Sequence, residues 1–286
     1  MTVVIKLGGG ETIDPDGLII DIAHLTANGT PVVVVHGGST TIDQTIEALG
    51  RSPTYIETPE GIMGRFTDEA TMQAVTMALA RVNTNLVTRM QEAGINALGL
   101  HGVDGGLLKG PRTDTVRVIE DGRKMLKRGD HSGRIQSVNT ELLDLLIDGG
   151  YIPVITLPML GVDGESLTAV NADADRVAGA IAAALEAPLV ILTDVPGVMH
   201  DTGDASSLID QIRTSQSLRE AHKITHGFMT RKVMAATESL EQGAQRVVIA
   251  DANVNSPVVE ALDGSGTIIS PSAVGRMPEG EEVHLP

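Results

Sequence analysis

The sequence predicts an α/β fold in which a mostly parallel sheet is covered by helices on both faces. Three observations carry this reading. Short apolar runs rich in β-branched residues recur along the chain, helical patterns lie between them, and several of those patterns stop at glycine. Parallel strands need crossover helices, and the helices bury both faces of the sheet, so such strands read as continuous rather than alternating apolar runs.

The first strand is Val3–Leu7, and a helix follows over 15–27. A second strand over 31–35 leads to a helix over 40–49 that stops at Gly50, and a long helical pattern over 67–93 stops at Gly94. Strands over 95–100 and 152–157 bracket a stretch, 107–133, that breaks the rhythm with short polar strands and turns; hairpins projecting from the sheet are expected there. Helices over 139–147, 173–185 and 230–242 alternate with strands Leu189–Thr193, 246–250 and 267–270. A lobe boundary is placed near Glu165, after the Gly161 to Gly164 turn, giving lobes of 1–165 and 166–286. From about 271 the chain is polar, acidic and rich in Pro and Gly, so a loose tail is expected. No internal repeat is visible.

At 286 residues, 42% hydrophobic and 20% charged, the chain is globular in composition and long enough to bury a sizeable core. No apolar stretch approaches the ~18–20 residues that cross a bilayer, and the N-terminus lacks a basic segment with a cleavage site, so a cytoplasmic protein without a membrane span is expected. The absence of cysteine excludes disulfides, thiolate catalysis and Cys-based metal sites. Thirty-seven acids against twenty-one bases give a net charge of −16, which repels nucleic acid and anionic lipid. Six lysines, fifteen arginines and four aromatics fit a surface hydrated in concentrated salt, hence a halophile's cytoplasm; an ordinary acidic cytosolic enzyme is the other reading.

Glycine marks where the chemistry begins. Lys6-Leu7-Gly8-Gly9-Gly10 follows the first strand and His36-Gly37-Gly38-Ser39 the second, each ahead of a helix. Such turns let backbone N–H groups approach an anion, and the helix N-terminus adds a favourable dipole, so together they can cradle phosphate. A pair of ordinary tight turns would read the same way, and neither segment matches GxxxxGK[ST] or GxGxxG. Asn171-Ala-Asp-Ala-Asp175 lacks the turn glycine and the final glutamate of a calcium loop; Asn171 or Asp173 is read instead as a helix cap. Thr193-Asp194-Val195-Pro196-Gly197 closes another buried strand. Lys232, placed in the first turn of the 230–242 helix, opposes the helix dipole unless an anion sits there.

In their order, KLGG at Lys6, HGG at Gly37, GRFT at Arg65, NADAD at Asn171, TDVPG at Asp194 and MTRK at Lys232 resemble the amino acid kinase family, in its acetylglutamate kinase branch. The resemblance covers residues 1 to 270. PEGIMGRFT, HGVDGGLLKG, HSGRIQSVN and GFMTRKVMAATESLEQG look most like the [LysW]-aminoadipate/[LysW]-glutamate kinases, which phosphorylate the side-chain carboxylate of an amino acid linked through its amine to a small acidic carrier protein. The resemblance implies a three-layer α/β/α sandwich, acyl substrate and carrier on the N-terminal lobe and ATP with Mg2+ on the C-terminal one. It implies Lys6 and Lys232 as transition-state stabilisers, Asp175 as the group orienting both, and backbone N–H donors at Gly9 and Gly38. It further implies that Arg65 pairs with a substrate carboxylate and Asn171 with the masked amine, that Gly37 and Ser39 line the substrate pocket, and that Thr193, Asp194, Gly197 and Met229 hold the nucleotide. No residue is expected to ligate a metal directly, and a homodimer is what relatives imply. Ser39 stands where most relatives carry a third glycine, which leaves substrate size open.

The charge map gives the carrier independent support. Residues 109–134 hold eight of the twenty-one bases against four acids, a local net of +4 that leaves −20 for the rest of the chain. An acidic macromolecule would dock on such an island, with Arg123, Lys124, Lys127 and Arg128 as the contacts expected; a solvated hairpin, or pairing of these bases with acids of a second subunit, is the other reading. Two further functions stay open: a kinase of free N-acetylglutamate, and a non-catalytic sensor on the same fold.

Overall fold

The structure, a computed structural model, describes residues 1–10, 13–59, 61–120 and 122–276. Eight strands form one sheet in the order Gln211–Ile212, Thr267–Ile269, Val247–Asp251, Leu189–Thr193, Val3–Leu7, Val32–His36, Ile152–Thr156, Ala97–His101. Neighbours run parallel except Val247–Asp251 against Thr267–Ile269. All seven strands expected from the sequence lie in this sheet; the two-residue Gln211–Ile212 has no apolar run to announce it.

Side chains alternate across each strand, and the alternation builds the three layers. Val3, Ile5, Leu7, Val32 and Val34 pack against Leu18, Ile19, Ile22, Leu86 and Val258 on one face. Val4, Val33 and Val35 pack against Ile42, Ile46, Leu79, Val177, Ile181 and Val233 on the other. Lys6 shares the face of Val4, and this places its side chain among the helices of the second group rather than the first.

Six of the helices lie where the sequence puts them: Asp16–Ala27, Ser39–Ala48, Glu69–Glu92, Thr140–Asp148, Ala174–Ala184 and Gly227–Gln242. The last starts three residues earlier than expected, because Gly227 adopts φ +58, a left-handed conformation open to glycine, and turns the chain into the helix. Helices Ser215–Ile224 and Pro257–Asp263 were not expected; the first opens with a reciprocal cap between Thr214 and Ser217.

The polar stretch forms one long hairpin, Leu108–Glu120 against Arg123–Gly133, rather than several short ones. It belongs to a second sheet ordered Ser166–Val170, Met159–Asp163, Leu108–Glu120, Tyr55–Glu57, Met63–Arg65, and its distal part rests on Ile56 and Phe66 through Val118. The chain does not loosen at 271: Pro271–Val274 form a 3-10 turn with Pro271 and Ala273 buried, and Arg276 donates to the Ala244 carbonyl at 3.2 Å. Burial of the proline ring outweighs the polar composition there, and the rest of the expected tail, 277–286, lies outside the described residues. No helix among the described residues is long and apolar enough to cross a membrane.

Candidate functional site

Lys6 from the first strand, Asp175 from the Ala174–Ala184 helix and Lys232 from the Gly227–Gln242 helix meet at the carboxyl edge of the sheet. Lys6 Nζ lies 2.7 Å from Asp175 Oδ1, and Lys232 Nζ donates to Asp175 Oδ2 at 3.2 Å. All three are buried, at 5%, 7% and 8% exposure. Burial alone would raise the Asp175 pKa, but the two ammonium charges overcome it and hold the carboxyl well below its ordinary value. Burial, with repulsion from Lys6, pushes Lys232 down against the pull of Asp175. Two cations share one anion, so the cluster carries a net positive charge inside the protein.

Local sequence explains this convergence. Asp173 caps its helix, with Oδ1 accepting from Asp175 N at 2.8 Å and Arg176 N at 3.2 Å, as the cap reading expects. Its other oxygen holds Arg231, so the residue before Lys232 is tied to the residue two before Asp175. Because the helix begins at Gly227, Lys232 sits in its second turn rather than its first. The end dipole therefore does not account for the lysine; Asp175 does.

Both glycine turns lie beside this cluster. A Cβ on Gly9 would come within 2.7 Å of Gly38 N, 3.0 Å of Gly38 Cα and 3.1 Å of Ser39 N, so only glycine lets the loops touch. A Cβ on Gly37 would stand 3.5 Å from Ala174 Cβ, which sets the second loop against the helix that carries Asp175. The N–H groups of Gly9 and Gly38 donate to no described residue. Gly9 is half-buried and Gly38 buried, and orphan donors beside buried ammonium groups make a site complementary to a polyanion.

Arg65 lies at the other end of the Gly37 to Ser39 loop. Its Nη2 donates to Asp43 Oδ1 at 2.8 Å, Ser39 O at 3.1 Å and Tyr55 Oη at 3.0 Å, and the guanidinium sits 5.4 Å from the centre of the Tyr55 ring. Its Nε is buried without a partner among the described residues. Asp43 and Tyr55 were not singled out from the sequence; the spacing of four between Ser39 and Asp43 on one helix face was the signal available. Asn171 is fixed by its backbone to His131 O at 2.7 Å and Gly133 N at 2.8 Å, and its amide reaches Thr67 Oγ1 at 3.4 Å. The buried Nδ1 of His131 has no partner among the described residues either.

The turn after Leu189–Thr193 runs beside the first glycine loop, since Gly8 N donates to Leu192 O at 3.1 Å. Thr193 is buried and its Oγ1 donates to Asp194 Oδ1 at 3.2 Å. Gly197 has a reason of its own: at φ +157, any Cβ would meet Thr267 Oγ1 at 2.6 Å. Met229 is half-buried at the start of the Lys232 helix. Arg123, Lys124, Lys127 and Arg128 lie on the second strand of the hairpin, in the second sheet. Cross-strand register puts Lys124, Leu126 and Arg128 on one face with Arg117 and Ile119. Lys127 faces the other way, 4.6 Å from the centre of the Phe66 ring and 3.6 Å from Glu120.

Residues 1–251 match the model of the amino acid kinase family. The chain belongs to that family. It is 39% identical over 270 residues to the [LysW]-aminoadipate kinase of Deinococcus radiodurans, covering 94% of this chain and 91% of that one. It is 32% identical over 271 residues to the [LysW]-aminoadipate/[LysW]-glutamate kinase of Saccharolobus solfataricus, covering 94% and 99%. Two solved structures share the amino acid kinase fold with it. N-acetylglutamate synthase from Neisseria gonorrhoeae superposes with a TM-score of 0.74 at 23% identity, over 94% of this chain and 59% of that one, and Giardia carbamate kinase with 0.65 at 19%, over 94% and 98%. The three-layer sandwich expected from the sequence is thus that of this amino acid kinase.

Proposed function

We propose that the protein transfers the γ-phosphoryl group of ATP to the side-chain carboxylate of glutamate or α-aminoadipate linked through its amine to a LysW-type carrier, in arginine or lysine biosynthesis. The observation that carries this reading is the buried pair of ammonium groups sharing one carboxylate beside the free N–H groups of Gly9 and Gly38. A carboxylate nucleophile is already ionised at neutral pH, so no general base is needed. The carboxylate oxygen forms a bond to the γ-phosphorus as the bond to the ADP oxygen breaks, which gives an acyl phosphate and ADP.

Lys6 and Lys232 neutralise charge on the moving group and its bridging oxygen, and Asp175 holds both ammonium groups at fixed positions. Gly9 and Gly38 supply N–H donors. Arg65, oriented by Asp43 and Tyr55, offers its remaining N–H groups to a substrate carboxylate, while Asn171 takes the masked amine; Gly37 and Ser39 form the floor between them. Thr193, Asp194, Gly197 and Met229 hold the nucleotide. In this reading acyl substrate binds mainly on residues 1–165, with Asn171 reaching it from the other lobe, and ATP on 166–286. Among the described residues no three carboxylates or imidazoles converge on a metal position, and magnesium enters as the counter-ion of the ATP phosphates. A homodimer working in a salt-rich cytoplasm completes the proposal.

A purified ADP-release assay tests it by comparing carrier-linked aminoadipate, carrier-linked glutamate and free N-acetylglutamate. Turnover confined to carrier-linked acceptors is expected; preference for the free compound would transfer the reading to an N-acetylglutamate kinase, and no turnover with any acceptor would leave only a sensor.

The outer face of the hairpin, with Arg117, Lys124 and Arg128 around the 63%-exposed Leu126, suits an acidic carrier. Changing these three bases to glutamate is expected to raise KM for the carrier-linked acceptor by ~10-fold or more, with KM for ATP unchanged. Unaltered KM for both would remove the hairpin from recognition. The Gly9→Ala variant is expected to lose ~10- to 100-fold in kcat, since the methyl group parts the two loops without deleting a donor, short of the ~10²–10³ for a donor lost outright. Wild-type kcat in a folded variant would show that the loop contact is irrelevant.

A further inference from the structure

His36 ends the second strand of the sheet at 1% exposure, and the chemistry above leaves its ring unused. Its Nδ1 lies 2.9 Å from Gly37 O, and its Nε2 lies 3.0 Å from Asn83 Nδ2. Asn83, inside the Glu69–Glu92 helix, also donates from Nδ2 to Val154 O at 2.9 Å. Each partner can act in one way only: a carbonyl accepts and an amide NH2 donates. So Nδ1 carries the proton and Nε2 accepts, which defines a neutral imidazole of one tautomer. Burial, opposed by the bond to Gly37, keeps the ring neutral with its pKa lowered to about 4. The space for Asn83 is made by Gly99, where a Cβ would fall 2.0 Å from Asn83 Oδ1.

We propose that Asn83 and His36 form a relay that fixes the direction of the Gly38 N–H, an inference that rests on the phosphoryl-transfer reading for its functional consequence. In a trans peptide the C=O and N–H point opposite ways. Holding Gly37 O against the His36 ring turns Gly38 N–H away from that ring, where it meets no described acceptor. Asn83 in turn stops the ring from rotating or changing tautomer. His36 touches neither reactant; it is a positioning residue that acts through the Gly37–Gly38 peptide, as a preorganised donor requires.

Two measurements on the full chain test the relay. Imidazole 15N NMR is expected to show His36 protonated at Nδ1 and bare at Nε2, without titrating between about pH 5.5 and 8. An Nε2–H tautomer, or a ring that titrates in that range, overturns the relay whatever the protein phosphorylates. Kinetics give the second measurement. His36→Asn keeps an N–H near the Nδ1 position, whereas His36→Gln keeps a polar group toward Asn83 and loses the bond to Gly37. His36→Gln is expected to lower kcat by ~10- to 100-fold while KM for ATP moves less than ~3-fold, and His36→Asn to recover most of the loss. Equal losses in both variants that follow their thermal midpoints would mean that the ring only fills space, and would overturn the proposal. A wild-type chain that turns over no acceptor would sink the phosphoryl-transfer reading instead, and the tautomer would still decide the relay.

Discussion

The Lys6→Met variant is expected to lose ~10³–10⁵ in kcat, the range that a cation delivered to a transferring phosphoryl group commands. Methionine keeps an unbranched chain of similar length next to Val4 on the same strand face, so packing is largely retained. Asp175 keeps Lys232 as its partner, and no buried carboxylate is left unpaired. What disappears is the excess positive charge: one cation then faces one anion, and only the N–H donors of Gly9 and Gly38 remain to offset charge spreading over the moving phosphoryl. Because this interaction strengthens in the transition state, kcat falls with a smaller change in KM. Single-turnover ADP formation, with the thermal midpoint as a control for folding, measures it. A loss below tenfold in a folded variant would mean that the Lys6 ammonium does not meet the phosphoryl group.

Legibility from sequence followed burial. Val3–Leu7 and Val32–His36 are buried at every position, and continuous apolar runs of that kind announce themselves. The strands at Tyr55–Glu57 and Met63–Arg65 are three residues long and half exposed, and what anchors their hairpin lies far away in the chain: Glu57 pairs with Ile119, and Ile56 and Phe66 pack on Val118. A local pattern cannot supply those partners. The same contrast holds within the site. Lys6, Asp175 and Lys232 stood out through their motifs, yet only the fold shows that each oxygen of Asp175 serves one lysine. Arg65 was legible as a cation, but Asp43 and Tyr55, which occupy one edge of it, were not. The basic island was legible as a charge count. Its division into an outer face bearing Lys124 and Arg128 and an inner one bearing Lys127 required the hairpin register, because a single strand has two faces and composition does not distinguish them.

Asp175→Asn is the second large effect, and it is expected in stability as well as in turnover. The substitution keeps the volume and removes the charge, which leaves the buried ammonium groups of Lys6 and Lys232 without their carboxylate; breaking a buried pair in this way costs ~3–5 kcal/mol. Its pH dependence has a definite sign. In the wild type the folded Asp175 pKa is depressed, so its contribution is fully present above the unfolded value of ~3.9 and is lost as pH falls below it. Asp175→Asn lacks that loss, and its acid limb is shallower. At alkaline pH the variant gains on the wild type again, through Lys232. Lys232 is already lowered by burial and by Lys6, and removing Asp175 removes the main group that opposes this, so its folded pKa drops further below the unfolded ~10.4. Across that gap the unfolded chain binds the extra proton, and stability rises with pH at up to ~1.4 kcal/mol per pH unit for one lysine. Denaturation midpoints measured from about pH 3 to 10 should therefore show the variant gaining on the wild type at both extremes and furthest below it near neutrality. Two parallel profiles would show that Asp175 is not coupled to the lysines in the folded protein, and with that coupling the arrangement assigned to phosphoryl transfer would fail.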